Sequence, residues 1–259
     1  MPLPPPITSR SNARVKALRA ADGAQPGELI AIEGENLIRE AHRSGLRFDT
    51  LFLREGAEAP FDLPTTNIAV VSRDVFASAV DTASPQGIAA LVVIPDVAAP
   101  SLSNHGVVLV IESLQDPGNL GTLIRSAEAF GIPHVFTTPD TVSRWNPKTI
   151  RASAGSAFRI PVTRAPLSEI KSLLHDYRFL AAVAQQQGAT PTTEASLLAP
   201  CALLIGNEGA GLSASALALA DARIHIPCAV ESLNAAIAGS TLMYEALRQR
   251  LRQHAEGTA

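Results

Sequence analysis

The stretch from Leu203 to Arg250, LLIGNEGAGLS…ARIHIPCAVESLNAAIAGSTLMYEALRQR, constrains the fold more than any other part of the chain. Two short apolar strands there each run into a loop of small residues, and the second loop opens a long helix. The run Ala202–Ile205 stops at Gly206-Asn207-Glu208-Gly209-Ala210-Gly211, three glycines in six residues, which lets the backbone take positive φ and approach a ligand closely. The side chains left to act are those of Asn207 and Glu208. Ile224-His225-Ile226 alternates as a strand, Pro227 ends it, and Glu231-Ser232-Leu233-Asn234 leads into a helix with Ser232 as candidate N-cap. Leu233, Ile237, Tyr244, Leu247 and Leu251 then recur on one side, with Gly239-Ser240 as a small gap, which predicts a buried face.

A third apolar strand, Val107–Ile111, leads into Glu112-Ser113-Leu114-Gln115-Asp116-Pro117-Gly118-Asn119 and a short helix predicted from Thr122 to Phe130, closed by Gly131 and Pro133. Asn119 is either the N-cap of that helix or a site residue. Arg125 lies on the polar side, opposite Leu123, Ile124 and Ala127. Further strands are predicted at His134–Thr137, Ile160–Thr163 and Phe179–Ala184, with a basic loop and a helix, Leu167–His175, between them and a polar turn at Gln185-Gln186-Gln187-Gly188. Strands alternating with helices argue for a mostly parallel sheet covered on both faces.

Upstream, helices are predicted at Ser11–Ala21, with Val15 and Leu18 inward, and from Glu35 through Leu37, Ile38 and Ala41 to Gly45. Strands are predicted at Glu28–Ile32, Thr50–Leu53, Ile68–Val71 and Ile88–Val93, a helical turn around Asp74–Val80, and a turn at Ser84-Pro85-Gln86-Gly87. This pattern gives a small α/β domain over residues 1–95. The Pro/Ala/Ser-rich residues 96–105 read as a linker, and residues 106–259 as a second α/β domain.

With 46% hydrophobic residues the 259-residue chain can build real cores. No run approaches a membrane span, and the start, MPLPPPITSR, lacks the apolar region of a secretory signal, so a cytoplasmic protein is expected. Cys201 and Cys228 have no Cys or His partners at metal spacing and read as small hydrophobes; neither a disulfide nor a metal is expected. The net charge of −3 speaks against a nucleic-acid partner, but its distribution speaks for one. Arg10, Arg14, Lys16 and Arg19 occur in residues 1–21, and Arg144, Lys148, Arg151, Arg159 and Arg164 in residues 141–168, with no acid in either stretch. The first fits a solvated helix face as well as RNA contact. The second mixes cations with Trp145, Asn146, Ser153 and Ser156, which favours phosphate contact. The candidate RNA contacts are Arg10, Arg14, Lys16, Arg144, Lys148 and Arg151.

Taken in order, DPGNLGTLIRSAEAFG, IGNEGAGLS and IPCAVESLNAAIAGSTLMYEA resemble the three motifs of the SpoU (TrmH) family of RNA ribose 2′-O-methyltransferases, in the SPOUT class. The basic SRSNARVKALR start, the IEGENLIREA helix and the PQG turn resemble the substrate-binding domain that precedes the catalytic domain in many of those enzymes. The resemblance implies an N-terminal ribosomal-protein-like α/β domain followed by a SPOUT methyltransferase domain with a C-terminal trefoil knot. It implies S-adenosylmethionine as cofactor, with contacts at Gly206, Ile226 and Leu233, and a catalytic set of Asn119, Arg125, Glu208, Ser232 and Asn234. Glu208 would orient Arg125 or fix a loop. Ser232 and Asn234 would position substrate, with helix capping the alternative for Ser232. A guanidinium offers donors only, so Arg125 is better suited to hold a phosphate and stabilise negative charge than to act as a base.

The resemblance also implies a homodimer and an RNA partner, 23S ribosomal RNA favoured over transfer RNA. The alternatives are a transfer-RNA ribose methyltransferase and a non-catalytic RNA-binding protein on the same scaffold; the intact polar set favours the enzyme. A nucleotide-dependent oxidoreductase is disfavoured, because the chain has no strand-linked G-x-G-x-x-G with a downstream acid.

Overall fold

Four apolar runs between residues 29 and 93 pair into one sheet. In the computed structural model, which describes residues 3–58, 67–82, 84–96, 106–184, 188–198 and 200–257, they are β1 (Leu29–Glu33), β2 (Phe48–Arg54), β3 (Ile68–Val71) and β4 (Ile88–Val93), in the order β1-β4-β2-β3. β4 is antiparallel to β1 and β2, and β3 runs parallel to β2. Side chains alternate across a strand, so Leu51, Leu53, Ala90 and Val92 share one face with Ile38 and Ala41 of α2 (Glu35–Arg43). Phe52, Ala89 and Leu91 share the other with Val15 and Leu18 of α1 (Ala13–Ala20) and Val75 and Phe76 of α3 (Arg73–Ala77). Burial on both faces is why β4, IAALVV, carries no polar residue.

The second sheet has seven strands, all parallel, in the order β7-β6-β5-β10-β8-β11-β9. They are β5 (Val107–Ile111), β6 (Val135–Thr137), β7 (Val162–Arg164), β8 (Arg178–Ala182), β9 (Thr190–Pro191), β10 (Cys201–Ile205) and β11 (Ala222–His225). β5 and β10 are adjacent and buried throughout. The helices of this part are α4 (Pro117–Ala129), α6 (Leu167–Leu173), α7 (Ala214–Leu219) and α8 (Ala235–Gly257), and α5 (Pro147–Ser153) lies between α4 and α6 in sequence. Ile170, Leu174 and Ala216 pack on Val108, Val110, Ala202 and Leu204. α8 lies on α4 and β10 through its small residues: a Cβ at Gly239 would collide with the Leu123 side chain. Ile205 is in register with Ile111, so the loops after β10 and β5 leave the same edge of the sheet, where open α/β sheets bind ligands.

Several expectations need correction. α4 begins at Pro117 rather than Thr122, because Asp116 caps it by accepting from the Asn119 amide at 2.7 Å and Pro117 fits the first turn; Asn119 therefore lies inside the helix. Asn234, not Ser232, caps α8, accepting from the amides of Ala236 (2.9 Å) and Ile237 (3.2 Å). The predicted buried stripe of α8 is outward at three of its five positions: Ile237, Tyr244 and Leu251 are 56%, 53% and 61% exposed, Leu233 and Leu247 are half-buried, and Ala236, Leu242, Met243 and Ala246 are buried. Close approach at Gly239 selects the small-residue face for packing. α7 and β9 were not expected, and residues 97–105 of the expected linker and Gln185–Gln187 lie outside the described residues.

The chain divides into two compact units, Met1–Ala98 with Trp145–Arg159, and Ala99–Arg144 with Ile160–Ala259. The stretch Trp145–Arg159, expected as a basic loop of the second domain, thus completes the first unit. Its Trp145, Ile150 and Phe158 share a core with Ile30, Ile38 and Leu51, and Arg159 pairs with Glu40 at 2.7 Å. It folds as α5, with Asn146 accepting from the Lys148 amide at 2.9 Å and Pro147 at the first position. A fragment of residues 106–259 would leave Trp145, the one tryptophan, without these partners. Its fluorescence should shift to longer wavelength than in the full chain, and the fragment should bind a hydrophobic dye; unchanged emission and no dye binding would contradict the assignment.

Candidate functional site

Three loops, following β5, β10 and β11, build the site. The β10 loop closes on itself, with reciprocal amide–carbonyl bonds between Asn207 and Gly211 at 3.0 Å and the Asn207 Oδ1 accepting from the amides of Gly209 (2.9 Å) and Ala210 (3.1 Å). Gly206 is required for a reason other than φ: a Cβ there would collide with the Gly211 backbone, whereas Gly211 itself sits at φ +68°. Ser213 caps α7 and anchors the far end of the loop, donating through Oγ to Glu112 Oε1 at 2.6 Å, while its amide donates to Glu112 Oε2 at 2.8 Å.

Glu208 joins this loop to the one after β5. Its Oε1 accepts from the Asp116 amide (3.0 Å) and Asn119 Nδ2 (3.1 Å), and its Oε2 from Asn207 Nδ2 (3.3 Å) and the Gln115 amide (3.4 Å). Asn119 Oδ1 in turn accepts from Asn234 Nδ2 at 3.0 Å, bringing in the loop after β11. Burial opposes ionisation of Glu208, but the hydrogen bonds from Asn119 and the amides of Glu208, Asp116 and Gln115 outweigh it and hold the carboxyl below its ordinary 4.5.

Of the five expected catalytic residues, Asn119, Glu208 and Asn234 are thus directly bonded. Glu208 fixes loops and makes no hydrogen bond or ion pair with Arg125 among the described residues. Arg125 is exposed on α4 with no such partner among those residues. Ser232 is exposed on the wall of an adjoining cavity.

That cavity, about 450 Å³, lies between the β10 loop, the segment after β8 and the residues from Ile226 to Leu233. Gly206, Ile226 and Leu233 all line it, with Ile205, Ile224 and Leu242 as aliphatic surface. Cys228, expected to be buried, is half-buried on its wall. The volume suits a small cofactor.

The expected RNA contacts fare unevenly. Arg10, Arg14, Lys16, Lys148 and Arg151 are exposed on the first unit. Arg144 is half-buried and donates to the Ile160 carbonyl at 3.3 Å, and burial lowers its pKa to about 10; its guanidinium is committed inside the second unit. Trp145, Ser153 and Ser156 are buried, and Asn146 is a cap. Glu112 and Asp116 were not among the expected site residues; the Asp-Pro pair before an apolar run is a visible cap signal for the latter. Among the described residues no group of three or more His, Cys, Asp or Glu side chains could hold a metal, and no helix is long and apolar enough to cross a membrane.

Residues 106–244 match the SpoU rRNA Methylase family, and residues 31–97 match the RNA 2′-O ribose methyltransferase substrate binding family. Over 245 residues the chain is 37% identical to the 23S rRNA (guanosine(2553)-2′-O)-methyltransferase RlmP of Bacillus subtilis, covering 92% of this chain and 97% of that protein. Its fold is similar to that of the SpoU methyltransferase AviRb from Streptomyces viridochromogenes, solved in complex with the cofactor AdoMet, with TM-score 0.80, 26% identity, and 93% and 100% of the two chains covered. A second solved RNA 2′-O ribose methyltransferase gives TM-score 0.81 at 30% identity, over 95% and 99%. The chain belongs to the SpoU rRNA methylase family. SpoU methyltransferases use S-adenosylmethionine, and the cavity fits it: aliphatic surface suits an adenosine, and small-residue loops give access to peptide groups.

Two outcomes follow from this geometry. Gly206→Ala forces the loop off Gly211, at a cost of about 1–3 kcal/mol, and should lower affinity for S-adenosylmethionine at least about tenfold by calorimetry; unchanged affinity would contradict the close-approach role. The carboxyl of Glu208 has a lower pKa folded than unfolded, so its contribution is complete above about pH 4.5 and is lost as pH falls through the folded value. Protection of the Asp116 amide, measured against its intrinsic exchange rate at the same pH, should therefore be lost in the wild-type chain only in acid, and be reduced already at neutral pH in Glu208→Gln. Equal protection in both proteins at pH 7 would remove the carboxylate from loop fixation.

Proposed function

We propose that this protein is an S-adenosylmethionine-dependent enzyme that methylates a ribose 2′-hydroxyl of 23S ribosomal RNA. The observation that carries this is the bonded line Asn234–Asn119–Glu208 beside the cavity, in a chain matching RlmP almost from end to end. When bound, the cofactor supplies an activated methyl group. Gly206, Ile226 and Leu233 would hold it, with Ser232 at the same wall. Asn119 and Asn234 each have a second amide hydrogen beyond the one bonded within the line, available to orient the hydroxyl. Glu208 receives four donors and acts as the brace. Arg125 has its donors free for the phosphate next to the reacting ribose and for negative charge developing on the oxygen.

Exposed Arg10, Arg14, Lys16, Lys148 and Arg151 on the first unit supply phosphate contacts that carry no sequence information. The transfer-RNA and non-catalytic readings gain nothing specific from the site. We further infer that the exposed face of Ile237, Tyr244 and Leu251 on α8 pairs with a second copy, that the C-terminal segment is threaded as the family's trefoil knot, and that the enzyme works in the cytoplasm.

Labelled methyl should pass from S-adenosylmethionine to 23S ribosomal RNA and be recovered in a dinucleotide that resists alkaline cleavage, because its 2′-hydroxyl is blocked; transfer to transfer RNA alone would overturn the substrate. Arg125→Ala should lose about 2–4 kcal/mol of transition-state stabilisation while calorimetry shows cofactor affinity near normal. Arg125→Lys should recover little if the planar fork holds the phosphate, and much if a point charge suffices. Full turnover in the Ala variant would remove Arg125 from the mechanism. Light scattering should give twice the 27.1 kDa chain mass, and a monomer would contradict the pairing of α8.

A further inference from the structure

Ser113, between β5 and the Asn119 helix, has φ +56°, a left-handed conformation that costs a non-glycine residue conformational energy unless its surroundings impose it. The surroundings are unusually complete. Its amide donates to Thr138 Oγ1 (3.0 Å), its Oγ donates to Asp140 Oδ2, and its carbonyl accepts from Asn207 Nδ2 (2.8 Å) and Gln115 Nε2 (3.1 Å). Thr138 Oγ1 in turn donates to Asp140 Oδ1 at 2.6 Å, closing a ring from the Ser113 amide through Thr138 and the Asp140 carboxylate back to the Ser113 hydroxyl. Gln115 Nε2 also donates to the Asp140 carbonyl at 2.7 Å, and the amide of Val142 to the Leu114 carbonyl at 2.9 Å.

Asp140 stands in the loop after β6, outside all three motifs, and among the described residues its side chain makes no hydrogen bond or ion pair with Asn119, Arg125, Glu208, Ser232 or Asn234. The turn at Ser113 nevertheless sets the direction in which Gln115 and Asp116 present their amides to Glu208, and hence where Asn119 begins. We propose that Asp140 is a positioning residue, which imposes the left-handed turn at Ser113 and through it places the Gln115–Asn119 segment for methyl transfer. The activity arm of this inference rests on the function proposed above; its structural arm does not.

The strain supplies a test that a merely structural carboxylate would fail. Asp140→Ala should lower kcat about 10- to 100-fold, the cost of a displaced reacting group, with affinity for S-adenosylmethionine within about threefold of wild type. Exchange at the Gln115 and Asp116 amides should accelerate in the protein without cofactor. Glycine adopts positive φ freely, so adding Ser113→Gly to Asp140→Ala should restore both kcat and amide protection, while Ser113→Gly alone stays close to wild type. Asp140→Asn, which keeps one acceptor, should fall between. The proposal is overturned if Asp140→Ala matches wild type in kcat and exchange, or if the double variant is as slow and as unprotected as Asp140→Ala. Should Asp140→Ala prove unfolded by circular dichroism, recovery in the double variant still supports the proposal and its failure to recover overturns it. If the wild-type protein methylates no RNA, the function reading fails, and the exchange comparison alone still decides the role of Asp140.

Discussion

The carboxylate of Glu208 is the constraint on which the site depends. Loops leaving three different strands have no reason of their own to meet, and the small residues that let them approach a cofactor also deprive them of packing. One carboxylate accepting from two backbone amides and two side-chain amides supplies the missing attachment. The Asn119 amide then passes the constraint to Asn234, which is at once a member of the polar line and the N-cap of α8. Capping α8 and bonding to Asn119 are therefore not alternatives for Asn234: its Oδ1 caps the helix while its Nδ2 donates to Asn119. Charge-assisted hydrogen bonds can do this at an exposed carboxylate because donors, rather than burial, stabilise the charge.

The make-up of the first unit changes which cations it carries. A single flexible linker would tether an RNA-binding module to a catalytic one and raise its effective concentration. Trp145–Arg159 belongs to the core of the first unit, although the residues on either side of it, Arg144 and Ile160, belong to the second. Lys148 and Arg151 thereby join Arg10, Arg14 and Lys16 on the unit matched to the substrate-binding family. The two sets lie on opposite faces of the first sheet, α1 packing on the face of Phe52 and Leu91 and the α5 stretch on that of Leu51 and Val92.

Continuous apolar runs were legible in the sequence almost to the residue: Ile68–Val71, Ile88–Val93 and Val107–Ile111 are strands with those bounds, because a strand buried on both faces admits no polar residue. The face of α8 was not legible. Its large apolar residues form the stronger periodic signal, but Gly239 and the alanines allow closer packing and take the sheet. α5 was hidden by its cations, although Asn146-Pro147 is a sound start signal. At the site, resemblance singled out Asn119, Glu208 and Asn234, but no spacing reveals hydrogen bonds between residues about ninety to 115 positions apart. Arg144 looked like its neighbours in sequence and differs only in where the fold puts it.

Ribosomal RNA methylation is a property of the cell as well as of the isolated protein, and the direct test is made there. Ribose 2′-O-methyl positions should be mapped across all ribosomal and transfer RNAs from cells with and without the gene. Loss of a single site in 23S ribosomal RNA, restored by the wild-type gene, is the predicted result. An unchanged 23S map with a site lost from transfer RNA, or no site lost anywhere, would contradict it.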